Sequence, residues 1–155
     1  MRLAIEQARL GDQTPGAGEV GCVIVKDDEV YAAGHNEAHL RNDPTAHAEI
    51  VTLGKLGEKL KSIDFSCFTL YVTLQPRSMC AAACVWGKIG RIVYGATRHD
   101  VHSMYFDAKH LNADQLIADA YKENIELVGG VLARECAEFY YKPADQPPPE
   151  EEENH

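Results

Sequence analysis

The order of apolar runs constrains this chain more than any other feature. Residues 20–26 (VGCVIVK) form a continuous apolar stretch, the pattern of a strand covered on both faces. Strand character returns at residues 68–73 (FTLYVT), 91–94 and 125–128. Stretches of helical character separate these later strands, at residues 78–86 and 112–122. Strands joined through helices need parallel crossovers. The expected fold is therefore α/β: a three-layer α/β/α sandwich with a five-stranded mixed sheet and helices on both faces.

The remaining elements fill in this plan. Residues 1–10 place Met1, Ala4, Ile5, Ala8 and Leu10 near one face at helical spacing, and the Gly- and Pro-rich stretch 11–18 reads as a loop. Asp27-Asp28 turns the first strand into a hairpin partner at residues 29–34. Asp43-Pro44 reads as a helix start, with Asp capping free amides and Pro at the first helical position, for a helix running from residue 45 to about 57. Asn112 is the expected cap of the 112–122 helix, and residues 131–141 read as a closing helix.

Length bounds the organisation. The chain has 155 residues, 45% apolar and 25% charged, the balance of one globular domain. Residues 1–142 form the expected domain, and 143–155, rich in Pro and Glu, an expected disordered acidic tail. No run approaches the roughly 18 apolar residues of a membrane span, so no membrane partner is expected. The N-terminus lacks a signal-like apolar region, and five cysteines are an odd number, which disfavours a disulfide framework; a reducing, cytoplasmic setting is expected. The net charge is −9, and without the tail 15 basic and 19 acidic residues leave −4. A body of this sign lacks the general phosphate attraction of nucleic-acid binders, so nucleic acid is disfavoured and a small molecule favoured as partner.

Two expected helix starts carry residues suited to chemistry. His47-Ala48-Glu49 reads as the first turn of the helix that Asp43-Pro44 begins. A neutral imidazole is a zinc ligand, and a carboxylate two residues on can reach past a metal without ligating it. Pro76-Arg77-Ser78-Met79-Cys80 opens the next helix, where the positive end of the helix favours a thiolate. Two such tips facing one crevice can assemble a metal site with an open position. Zinc deaminases carry H-x-E followed by P-C-x-x-C, with Glu as proton carrier and not as ligand. Here His47-x-Glu49 is followed, 27 residues after Glu49, by Pro76-Arg77-x-x-Cys80.

On these motifs, and on the segments EVGCVIVKDDEV, GHNEAHLRNDPTAHAEI, LYVTLQP, MCAAA and IGRIVYGA in that order, the chain resembles the cytidine/deoxycytidylate deaminase-like superfamily. It looks most like the branch of tRNA adenosine deaminases, guanine deaminases and bacterial cytosine or nucleoside deaminases, over residues 1–141. The resemblance implies a Zn²⁺ cofactor held by His47 and Cys80, Glu49 as catalytic proton shuttle, and Asn36 and Ala48 as substrate-binding residues. It also implies a homodimer. The expected reaction is hydrolytic deamination of a free nucleobase or nucleoside of cytosine or guanine type. The alternatives are a tRNA adenosine deaminase and a non-catalytic deaminase-like subunit.

Two positions depart from the family pattern. Arg77 stands where the first motif cysteine belongs, and Gln75 where many relatives carry Glu. Guanidinium is permanently charged and cannot ligate a metal. Cys84, one helical turn beyond Cys80, is one candidate for the missing ligand; a weakened two-residue site completed by solvent, a metal-free homologue and a mutated or misread codon at position 77 are the other readings. Tyr105 and Phe106 are candidates for substrate cover or for ordinary packing. Trp86 reads as a packing or dimer-interface residue.

Overall fold

A computed structural model of the chain describes residues 1–106, 113–120 and 125–146. Its sheet has five strands, β1 (Gly18–Lys26), β2 (Glu29–Asn36), β3 (Thr69–Leu74), β4 (Arg91–Ala96) and β5 (Glu126–Val128), in the order β2-β1-β3-β4-β5. β1 runs antiparallel to both β2 and β3, whereas β3, β4 and β5 are parallel. The mixed sheet follows from the connections. Asp27 and Asp28 both take positive φ (50° and 63°), which matches the twist of a tight hairpin, while the later strands are separated by helices.

Helices cover both faces. α3 (Ala48–Leu60) and α4 (Ser78–Trp86) pack on one face, over a core that includes Ile24, Leu56, Leu70 and Ile92; Ile117 of α5 (Ala113–Asp119) joins it. α1 (Arg2–Asp12) and α6 (Ala133–Cys136) cover the other, where Ile5, Leu74, Ala96, Cys136 and Tyr140 are buried together. α1 lies so close to β1 that a Cβ on Gly21 would come within 2.0 Å of the Ala4 carbonyl oxygen. Only glycine allows that approach.

Two local expectations need correction. Asp43-Pro44 does not begin a helix. The Asp43 carboxylate accepts from the Thr45 N–H (2.9 Å) and hydroxyl (2.7 Å), closing an Asx turn, and α3 starts at Ala48 with His47 as its N-cap. A one-turn helix, α2 (Ala38–Arg41), intervenes. The closing segment is not one helix: Leu132 takes a left-handed conformation, α6 stops at Cys136, and a 3₁₀ turn leads to an extended Tyr140. There the Tyr140 hydroxyl is 2.9 Å from Thr73 Oγ1 on β3, a tertiary bond that outweighs helix propensity. The expected cap Asn112, the end of its helix and the acidic stretch from residue 147 onward lie outside the described residues. Among the described residues no helix is long and apolar enough to cross a membrane.

Candidate active site

The site forms where the N-termini of α3 and α4 meet beyond the sheet. His47, as N-cap of α3, has extended backbone (φ −66°, ψ 158°), which turns its side chain off the helix end; Glu49 follows as the second helical residue. Arg77 is the N-cap of α4 and Cys80 its third residue. His47 Nδ1 lies 3.5 Å from Cys80 Sγ, and the donor atoms of His47, Glu49 and Cys80 all fall within 4.8 Å of one another. The shift of the helix start relaxes nothing in this convergence: the two motifs still present their side chains from adjacent helix tips.

Burial sets the protonation of the group. Glu49 is 3% exposed and Cys80 fully buried. Burial pushes the Glu49 carboxyl up, opposed by its own backbone N–H, a hydrogen bond with the Cys80 thiol and the Arg77 charge. Burial, then the charge of Glu49, pushes Cys80 well above the ordinary thiol range. Any metal must displace that thiol proton on binding.

These residues open into a cavity of about 460 Å³, which Asn36, Ala48, Gln75, Arg77 and Tyr105 also line. Asn36, the last residue of β2, lines the cavity, and its Oδ1 accepts from Ala38 N (3.2 Å). Ala48 is fully buried and borders the same cavity. Gln75 accepts from Arg98 N (3.0 Å) and thereby fixes the loop after β4. Tyr105 is part of the cavity wall and packs edge-on against Tyr140 (5.2 Å between centroids); Phe106 is buried in the same cluster. Trp86 is 84% exposed, which removes the reading that it packs in this chain's core.

Cys84 does not join the donor group. It is fully buried in the cluster with Leu56, Leu70 and Ile92, and burial raises its thiol further. One residue escaped the sequence reading. Glu37 is buried to 8% exposure and holds Arg41 (2.5 Å) and Lys55 (3.7 Å), tying α2 and α3 to the end of β2 beside Asn36. The i, i+4 spacing of Glu37 and Arg41 was the available signal.

Residues 1–131 match the family of MafB19-like deaminases. The chain belongs to that family. Among relatives of this MafB19-like deaminase, the tRNA-specific adenosine deaminase of Haemophilus influenzae is 36% identical over 143 residues, 89% of this chain and 77% of the relative. The guanine deaminase of Bacillus subtilis is 33% identical over 107 residues, 69% of each chain. A solved structure from a study of tRNA:A34 deaminases superposes with a TM-score of 0.76 at 30% identity, covering 90% of this chain and 96% of the other. The fold is that of the cytidine deaminase-like superfamily, as the resemblance implied.

The expectation that nucleic acid is disfavoured as a partner is overturned by these relatives, two of which are named for tRNA. Net charge averages over the whole surface, and a substrate meets only part of it. His39 and Arg77 both line the cavity of this acidic protein.

Zinc is the metal that the resemblance implies, and the donor set can be tested against it. Zn–N bonds of about 2.0–2.1 Å and Zn–S bonds of about 2.3 Å at a tetrahedral angle set the two donors about 3.6 Å apart. The 3.5 Å between His47 Nδ1 and Cys80 Sγ matches that edge. These two residues fit the ion; Arg77 does not.

Proposed function

We propose that the protein is a hydrolytic deaminase of an aminopurine, with adenosine within tRNA as its substrate. The observation that supports this most is the convergence of His47, Glu49 and Cys80 at a cavity that Asn36 and Ala48 also line. The tRNA-specific relative from Haemophilus influenzae, similar over nine-tenths of the chain, favours adenosine over a cytosine-type base.

His47 and Cys80 would hold the zinc, which when bound supplies Lewis-acid polarisation at the reacting centre. Glu49 takes a proton from the attacking water and passes it to the ring nitrogen beside the amine-bearing carbon. It then takes the remaining hydroxyl proton to the departing amine, so that water and amine leave as an oxo group on the ring and ammonia. Burial raises its carboxyl above the ordinary range, the direction that favours a group able both to accept and to release a proton. Asn36 offers amide hydrogen bonds to the substrate edge. The Ala48 backbone and the wall at Tyr105 hold the ring in place, and burial of the cluster keeps bulk water off the reacting atoms.

Guanine is the second reading, on the strength of the Bacillus subtilis relative. Inosine formation in an unmodified tRNA transcript, run beside ammonia release from guanine, separates the two. Inosine with no release from guanine is the expected result; release from guanine alone would replace the reading, and neither product from zinc-loaded protein would leave a non-catalytic homologue.

A further inference from the structure

We propose that Glu49 takes the third protein corner of the zinc site in this chain, standing in for the cysteine that Arg77 replaces. The inference rests on the reading of the site as a zinc centre and adds a second task for the proton carrier. Three observations lead to it.

The first is the supply of donors. A catalytic zinc takes three protein ligands and keeps one position open. His47 and Cys80 provide two, at the separation of a tetrahedral edge. Arg77 caps α4 where the third belongs and has no lone pair to give. Cys84 is fully buried in the apolar cluster and outside the donor group. Among the described residues, the one remaining donor in that group is the Glu49 carboxylate, within 4.8 Å of both partners.

The second is charge. An imidazole and two thiolates bring two negative charges to a dication and neutralise it. With Cys80 the single thiolate, the Glu49 carboxylate is the group in the donor cluster that can supply a second negative charge. Arg77 adds a fixed positive charge at the cavity wall, which raises the cost of holding a cation unless another anion balances it. A ligating Glu49 restores the balance and carries the charge to which Arg77 is attracted.

The third is placement. Glu49 is the second residue of α3, two positions from His47, and its carboxylate lies within 4.8 Å of the His47 and Cys80 donor atoms. Glu49 would hold the ion while the pocket is empty and would be released to carry a proton when substrate is bound. The residue that in the family pattern only moves protons here also holds metal, at a cost in turnover.

The test is zinc affinity by chelator competition on the full chain, for the native protein, Glu49→Gln, Arg77→Cys and the double variant, with circular dichroism as the check on folding. Cobalt substitution counts thiolates, one in the native site and two in Arg77→Cys. Loss of a second-shell partner alone costs about 10–100-fold in metal affinity. Glu49→Gln should therefore weaken zinc by more than about 100-fold in the native background, and by no more than that second-shell cost once Cys occupies position 77. Glu49→Asp, which keeps the charge and shortens the reach, should show the same contrast if the Gln variant does not fold. Equal weakening in both backgrounds, no weakening in either, or a native chain that binds no zinc would overturn the assignment. No substrate enters these measurements. A chain that binds zinc through Glu49 yet deaminates nothing would sink the functional reading and leave this one standing.

Discussion

Replacing Thr73 by Val should loosen the wall of the site without touching its chemistry. The β1–β3 ladder runs from Val25–Thr69 to Cys22–Val72 and stops one residue short of Gly21 and Thr73, so the Gly21 N–H has no ladder carbonyl on that side. It donates instead to Thr73 Oγ1 at 3.1 Å, in a fully buried position, and the same hydroxyl lies 2.9 Å from the Tyr140 hydroxyl. Valine keeps the shape and deletes the oxygen. Tyr140 retains a second acceptor, the Glu19 carbonyl at 3.4 Å, but Gly21 loses its partner. A buried donor left unpaired costs about 1–3 kcal/mol. For a chain of this length each kcal/mol lowers the melting temperature by about 2–4 °C, so the expected drop is about 2–12 °C. Amide exchange at Gly21, read by NMR, should accelerate in Thr73→Val and stay slow in Thr73→Ser, which keeps the hydroxyl. A Val variant within about 0.5 kcal/mol of the native protein, with Gly21 still protected, would refute the role given to this hydroxyl.

Asp100 accepts from the Thr97 N–H (2.8 Å) and hydroxyl (2.6 Å), and these bonds hold its carboxyl below the usual range. A depressed acid stabilises the fold above its unfolded pKa and loses that contribution as pH falls through the folded value. Urea titrations across the acid range should therefore show a shallower loss of stability for Asp100→Asn than for the native chain; parallel curves would rule this out. Glu37→Gln weakens the hold on Arg41 and Lys55 and loosens α2, part of the cavity wall, so KM should rise several-fold with kcat little changed. An equal fall in kcat would mean that Glu37 acts on the reacting atoms instead.

Much of this arrangement was legible in the sequence, for identifiable reasons. The continuous run at 20–26 and the helices between later strands required a mixed sheet with parallel crossovers, and the spacing of His47, Glu49 and Cys80 placed them at two helix starts. What was missed depended on partners distant in sequence or on competing turn chemistry. Asp43 caps its own Asx turn as readily as a helix, so its sequence did not locate the start of α3. The break after Cys136 follows from a bond between Tyr140 and Thr73, 67 residues apart. The i, i+4 spacing of Glu37 and Arg41 hinted at a pair, but the burial of Glu37 depends on β2, α2 and α3 meeting around it, with Lys55 reaching in from α3. Charge totals misled about partners because they carry no positions.

Glu49 as the group that moves the proton is the claim on which the account turns. The direct measurement compares Arg77→Cys with Arg77→Cys/Glu49→Gln, both loaded to equal zinc, for inosine formation in a tRNA transcript. With the metal held by three other residues, loss of the carboxylate removes only the proton carrier, and the rate should fall by about 10²–10⁴-fold. Equal rates in the two proteins would contradict it.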